Sequence, residues 1–154
     1  MAYELRIARN HDSPALIAVI DAEYARYREA GIALPPVSEG IPDDIRNNWV
    51  CVACDGDDLI GGVIVSLAGE KPWLMNLAVH PRRAGRGVGK ALIHAAIGTA
   101  RQAGHHELRL STHVDMPENV ALYRHLGWVF TGLDRNKVTM AFDLTNIDPH
   151  GSTP

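Results

Sequence analysis

Between Arg82 and Lys90 the chain reads RRAGRGVGK, a basic stretch with glycines at 85, 87 and 89. Upstream lies an apolar run, Trp73–Val79, that reads as a buried strand and ends in a turn at His80-Pro81. Downstream a helical stripe holds Val88, Leu92, Ala95, Ala96 and Ala100, with Gly104 at the stop position. Strand, glycine loop and helix start together make a holder for an anion. The first-turn N–H groups have no partner within the helix, glycine lets a phosphate come close to the backbone, and the helix dipole favours negative charge. A second pair suited to chemistry lies further on. Asn119 and Tyr123 are four residues apart, so a helix there puts an amide and a phenol on one face.

Spacing separates three phosphate-loop readings. A P-loop needs glycine, four residues, then Gly-Lys-Ser/Thr, but Ala84 stands at the first glycine and Ala91 at the hydroxyl. A dinucleotide fingerprint needs G-x-G-x-x-G, and Gly85, Gly87 and Gly89 give G-x-G-x-G. What remains is an Arg/Gln-x-x-Gly-x-Gly/Ala pattern between strand and helix. With LAVHP just upstream, it resembles the acetyl-CoA loop of the GNAT superfamily of N-acetyltransferases. In the register that uses Gly87 and Gly89, the usual Arg or Gln falls on Ala84. Arg82, Gly85 and Gly87 satisfy the pattern two residues earlier. The segment ENVALYRHLGW is similar to a second family signature, built on an asparagine, a Leu-Tyr pair and a Gly-aromatic pair, with Trp128 in the aromatic slot.

Other elements follow from periodicity and punctuation. Residues 3–9 alternate as a first strand, with Leu5 and Ile7 on one face. Ser13-Pro14 reads as N-cap and first helical residue of a helix to about residue 30, closed by Gly31. A proline-rich loop leads to a short helix over 42–48. Strands are expected at 49–54 and 59–67 about an Asp55-Gly56-Asp57-Asp58 turn, at 107–112, at 129–133 and at 138–144. Gly61-Gly62 inside the third strand signals a bulge or a close backbone approach. Within the helix after Pro117, Leu122 and Leu126 look like the core pair. The order matches the GNAT fold. The resemblance therefore implies an α/β (α+β) domain over residues 1–144, a central mixed sheet of about seven strands flanked by four helices, with a flexible tail over 145–154.

Bulk properties bound the function. A length of 154 residues suits one domain with its own core. The net charge of −3 makes the arginine cluster a local feature, which fits a small polyanion and argues against nucleic acid. No apolar run reaches membrane-spanning length and the start lacks a signal-peptide pattern, so the expectation is no membrane and a cytoplasmic location. Cys51 and Cys54 form C-x-x-C within a strand, where an odd offset sends them to opposite faces. No metal is expected.

The resemblance implies acetyl transfer from acetyl-CoA to a small-molecule or peptide amine. Amides of Arg86, Gly87, Val88, Gly89 and Lys90, beside Gly85, would hold pyrophosphate, with Arg82 and Arg83 adding charge toward the 3′-phosphate. Pantetheine would pair with the strand edge at Leu77, Ala78 and Val79, and the N–H of Leu77 or Ala78 would bond the thioester oxygen. Tyr123 matches the family's general acid and Asn119 its cofactor-contacting asparagine. The fourth strand lacks the Glu or His that many members use as base. His113, with Asp115 near it, comes first for that role and Glu70 second, each directly or through water. Tyr24, Tyr27, Arg28 and Glu39 are candidates to line the acceptor site, and Asp43, Asp44, Asp57 and Asp58 would attract a cationic amine. Protein N-termini, lysines and amino acids stay open as acceptors, and the oligomeric state stays open too, a homodimer being a fold-level analogy only. The alternative is a non-catalytic acyl-CoA-binding or sensing module on the same fold.

Overall fold

A computed structural model describes residues 3–32, 39–114 and 116–145. The expected tail falls almost wholly outside them. Seven strands form one sheet in the order β1-β2-β3-β4-β5-β7-β6. They are β1 (Glu4–Ile7), β2 (Trp49–Asp55), β3 (Asp58–Ser66), β4 (Trp73–Val79), β5 (Glu107–His113), β6 (Val129–Asp134) and β7 (Lys137–Asp143). Four helices cover its faces: α1 (Ser13–Glu29), α2 (Ile41–Asn47), α3 (Val88–Gln102) and α4 (Pro117–His125). Every pairing is antiparallel except β4 with β5. Those two strands are joined by the α3 crossover, as parallel neighbours require.

The sheet buries both faces, and two apolar layers result. One packs α3 and α4 through Leu92, Ile93, Ala96, Ile97 and Tyr123, with Trp128 just past α4, onto Ala53, Val63, Leu108, Leu110 and Met140. The other packs α1 and α2 through Leu16, Val19, Ile20 and Ile41 onto Val50, Val52, Ile64 and Ala78. Cys51 belongs to the first layer and Cys54 packs on the second, and both are free thiols, so they do lie on opposite faces. Gly61 and Gly62 serve one layer each. A Cβ on Gly61 would lie 3.0 Å from the Ala78 carbonyl oxygen and 3.2 Å from Val88, and one on Gly62 would lie 2.6 Å from Leu16. A register shift sits beside them, between Ala53 and Cys54. Bulge and close approach are both present.

Three expectations are corrected. Strand β1 is shorter than 3–9, and its Leu5 and Ile7 are 37% and 56% exposed, because among the described residues it is the sheet's edge and pairs with β2 alone. Ser13 lies inside α1 instead of capping it. A 3₁₀ turn, Asn10–Asp12, precedes it, and Asp12 Oδ2 accepts the Arg9 N–H at 2.7 Å. Of the expected core pair, Leu126 does pack half-buried on the α3/α4 layer, but Leu122 is exposed and Tyr123 is buried, since the nine-residue α4 turns Tyr123 and Val120 inward.

Candidate active site

Strands β4 and β5 stay in register only at Trp73–Arg109 and Leu74–Leu110. Against β3, β4 carries one extra residue: Ile64 pairs with Asn76 and Val65 with Leu74, so Met75 is a bulge. A bulge bends its strand and turns later side chains to the opposite face. Beyond it β4 and β5 part, leaving a cleft of about 190 Å³ between Leu74–Leu77 and Leu110–His113. From Met75 onward the β5-facing edge of β4 has no ladder partner among the described residues. It can accept an extended chain as a further strand would.

The cleft passes through the sheet and has two ends. Leu77 and Val79 pack on the α3/α4 layer, where Asn119 and Tyr123 of α4 also reach the cleft. The bulge instead turns Asn76 toward α1, and the Tyr24 hydroxyl donates to its Oδ1 at 3.4 Å. On β5 and β7, Leu108, Leu110, Val138 and Met140 belong to the α3/α4 layer. Alternation therefore puts Ser111, His113 and Lys137 on the α1 side.

Tyr123 is 6% exposed, and its ring meets Trp128 edge to face with centroids 5.6 Å apart. Burial pushes its phenol pKa well above the ordinary tyrosine value, with the nearby Tyr24 hydroxyl adding to the rise. The group stays protonated at neutral pH and is available as a donor. Asn119 Nδ2 lies 3.4 Å from Met116 Sδ, which steadies the amide at the cleft wall.

Strand β4 leads through a 3₁₀ turn, Pro81–Arg83, into the glycine loop. Gly85 and Gly87 have φ of 84° and 77°, a left-handed backbone that side-chain-bearing residues resist. Gly87 caps α3, and the helix's first bond runs from the Ala91 N–H to its carbonyl at 3.0 Å. The N–H groups of Val88, Gly89 and Lys90 thus lie ahead of the helical ladder. Arg83 donates to Asp55 at 2.7 Å and to Asp58 at 3.1 Å, and Arg86 lies 3.7 Å from Asp55. The acidic β2–β3 turn therefore anchors the loop. Arg82, Arg86 and Lys90 are exposed at the helix start.

The family model for the acetyltransferase (GNAT) family matches residues 16–128. The chain belongs to that family. Streptothricin acetyltransferase of Streptomyces lavendulae is 35% identical over 100 residues, covering 63% of this chain and 51% of the relative. The chain thus spans about half the length of that curated relative. Among solved structures, the PaiA N-acetyltransferase of Thermoplasma acidophilum in complex with coenzyme A superposes with a TM-score of 0.84 at 21% identity. That match covers 93% of this chain and 99% of the other. Nourseothricin acetyltransferase superposes at 0.72 with 25% identity, covering 94% and 99%. The GNAT fold expected from the sequence is the fold observed.

Within this GNAT domain the expected residues separate. Leu77, Asn119, Tyr123, His113 and Tyr24 line one cleft. Glu70 is exposed in the turn before β4 and is not among the lining residues. Asp115 lies outside the described residues. Tyr27 is buried, and its hydroxyl donates to Glu118 Oε1 at 2.6 Å, joining α1 to α4. Arg28 and Glu39 are exposed. Of the acidic residues, Asp58 serves Arg83, Asp43 pairs with Arg46, and Asp44 accepts from Asn48 at 2.9 Å. None of these lines the cleft. Sequence reasoning missed Asn76 and Lys137. The signal for Asn76 was present, as the one polar residue in the run WLMNLAV. Lys137 had none, because only the β5–β7 register brings it beside His113.

Proposed function

We propose that this chain is an acetyl-CoA-dependent N-acetyltransferase that moves an acetyl group to a primary amine by direct attack within a ternary complex. The observation that carries this reading is the cleft opened by the Met75 bulge, with buried Tyr123 on its wall and the glycine-capped start of α3 at the end of the same strand. Backbone amides from Arg86 to Lys90 hold the pyrophosphate, and pantetheine lies along Leu77, Ala78 and Val79. The N–H of Leu77 or Ala78 bonds the thioester oxygen, a contact of about 3 kcal/mol on the barrier. The amine nitrogen forms its bond to the acetyl carbon as the carbon–sulfur bond breaks. His113, directly or through water, takes the proton from nitrogen, and Tyr123 gives its own to the departing thiolate. His113 is preferred to Glu70 because it lines the cleft.

The test is release of CoA thiol from acetyl-CoA over a panel of amines: polyamines, aminoglycosides, streptothricin-type antibiotics, amino acids and short peptides. Turnover that falls in Tyr123→Phe and in His113→Gln supports the reading. Acetyl-CoA binding by calorimetry with no release across the panel would favour the binding-only alternative, and absence of binding would sink the assignment of the loop.

A further inference from the structure

We infer that Lys137 makes this cleft select amine acceptors bearing a carboxylate or another anionic group close to the reacting nitrogen. The inference rests on the acetyl-transfer reading above and names the acceptor class for that site. Lys137 opens β7 directly opposite His113 of β5, and both line the cleft on its α1 side. Its backbone is held in place. The β6–β7 turn passes through Arg135, at φ 56°, and the Val114 N–H donates to the Asn136 carbonyl at 2.7 Å, tying that turn to the end of β5.

Charge is what sets this end apart. Among the described residues no aspartate or glutamate lines the cleft, and Lys137 is its one fixed charge. Among the described residues neither neighbouring carboxylate lines the cleft. Glu118 accepts from Tyr27, and Asp134, opposite Lys137 in the β6–β7 register, is exposed and does not line the cleft. The other polar groups at this end, on Tyr24, Asn76, Ser111 and His113, carry no permanent charge. Among the described residues no carboxylate lines the cleft to offset Lys137, so a second ammonium on the acceptor would meet a like charge there, whereas a carboxylate would find a partner. The same cation disfavours the protonated form of an amine bound beside it, which eases loss of the proton before attack.

The experiment compares γ-aminobutyrate, γ-aminobutyramide and putrescine, primary amines of one chain length ending in carboxylate, amide and ammonium. The expected kcat/KM order is acid, amide, diamine, with about five-fold per step at low salt, the scale of an exposed ion pair. Lys137→Met levels the series and Lys137→Glu reverses it. Preference for the diamine, or an order that Lys137→Met leaves unchanged, overturns the inference while leaving acetyl transfer standing. A binding measurement separates the two readings if no amine releases CoA. N-acetyl-γ-aminobutyrate and its amide are titrated by NMR into the CoA-saturated protein. Tighter binding of the acid that vanishes in Lys137→Met sustains the anion site without catalysis, and equal binding overturns it.

Discussion

Tyr123 and Trp128 meet edge to face, with ring centroids 5.6 Å apart and planes inclined at 64°. Trp128 in turn packs on Phe142 of β7, also at 5.6 Å, so the phenol ring is held by packing. The ring and the hydroxyl can therefore be separated by mutation. Tyr123→Phe keeps the aromatic contact and removes only the oxygen, so the melting temperature stays close to native. Turnover falls about 10²-fold, the scale of a lost general acid, while CoA affinity changes little. Thiol release, calorimetry and thermal melts on the same preparation check the three parts together.

Arg83 and Arg82 are adjacent, yet they are expected to fail differently. Arg83 ties the glycine loop to Asp55 and Asp58, whereas Arg82 is exposed. Arg83→Gln should loosen the loop and weaken CoA and 3′-dephospho-CoA alike, and Asp55→Asn should reproduce it. Arg82→Gln should weaken CoA by about five-fold and spare the dephospho form, as for a solvated charge on a phosphate. Parallel calorimetric titrations of the two nucleotides decide the matter.

How far the sequence could be read depended on the range of the interaction. Strand and helix order follow from local periodicity, and β4 ends where its apolar run ends. The glycine loop and the Asn119/Tyr123 pair were legible because their spacing is local. Long-range features were not. The Met75 bulge exists only relative to β3, and it decides which face Asn76 takes. Arg83 looked like a free cation because nothing in its neighbourhood of sequence announced Asp55. The exposure of Leu5 and Ile7 reflects the edge position of β1, which alternation cannot reveal.

Gly61 and Gly62 offer a comparison between adjacent positions on opposite faces. A Cβ on Gly61 meets the Ala78 carbonyl, Val88 and Leu92 at 3.0, 3.2 and 3.3 Å, and Ala78 and Val88 belong to the proposed cofactor path. Gly61→Ala should cost about 1–3 kcal/mol and weaken CoA binding as well. At Gly62 the closest atom is the end of the Leu16 side chain, which can turn aside. Gly62→Ala should destabilise without touching CoA affinity. Urea unfolding paired with CoA titration distinguishes the two.

Asp12 links β1 to the start of α1. The Arg6 guanidinium donates to both its oxygens, at 2.8 and 2.9 Å, and the Arg9 N–H adds a third bond. Hydrogen bonding from Arg6, opposed by burial and assisted by Arg9, holds the carboxyl at about 2, against an ordinary 3.8. The folded value lies below the unfolded one, so the contribution is fully present above the ordinary value. It is lost as pH falls through about 2. With Arg6 36% exposed, solvent screening limits it to about 1–2 kcal/mol. Asp12→Asn should lower stability near neutral pH by that amount and flatten the acid limb of the stability profile between those two values. Urea midpoints measured down the acid range test it. An acid limb equally steep in the variant would move the origin of acid sensitivity to other carboxylates.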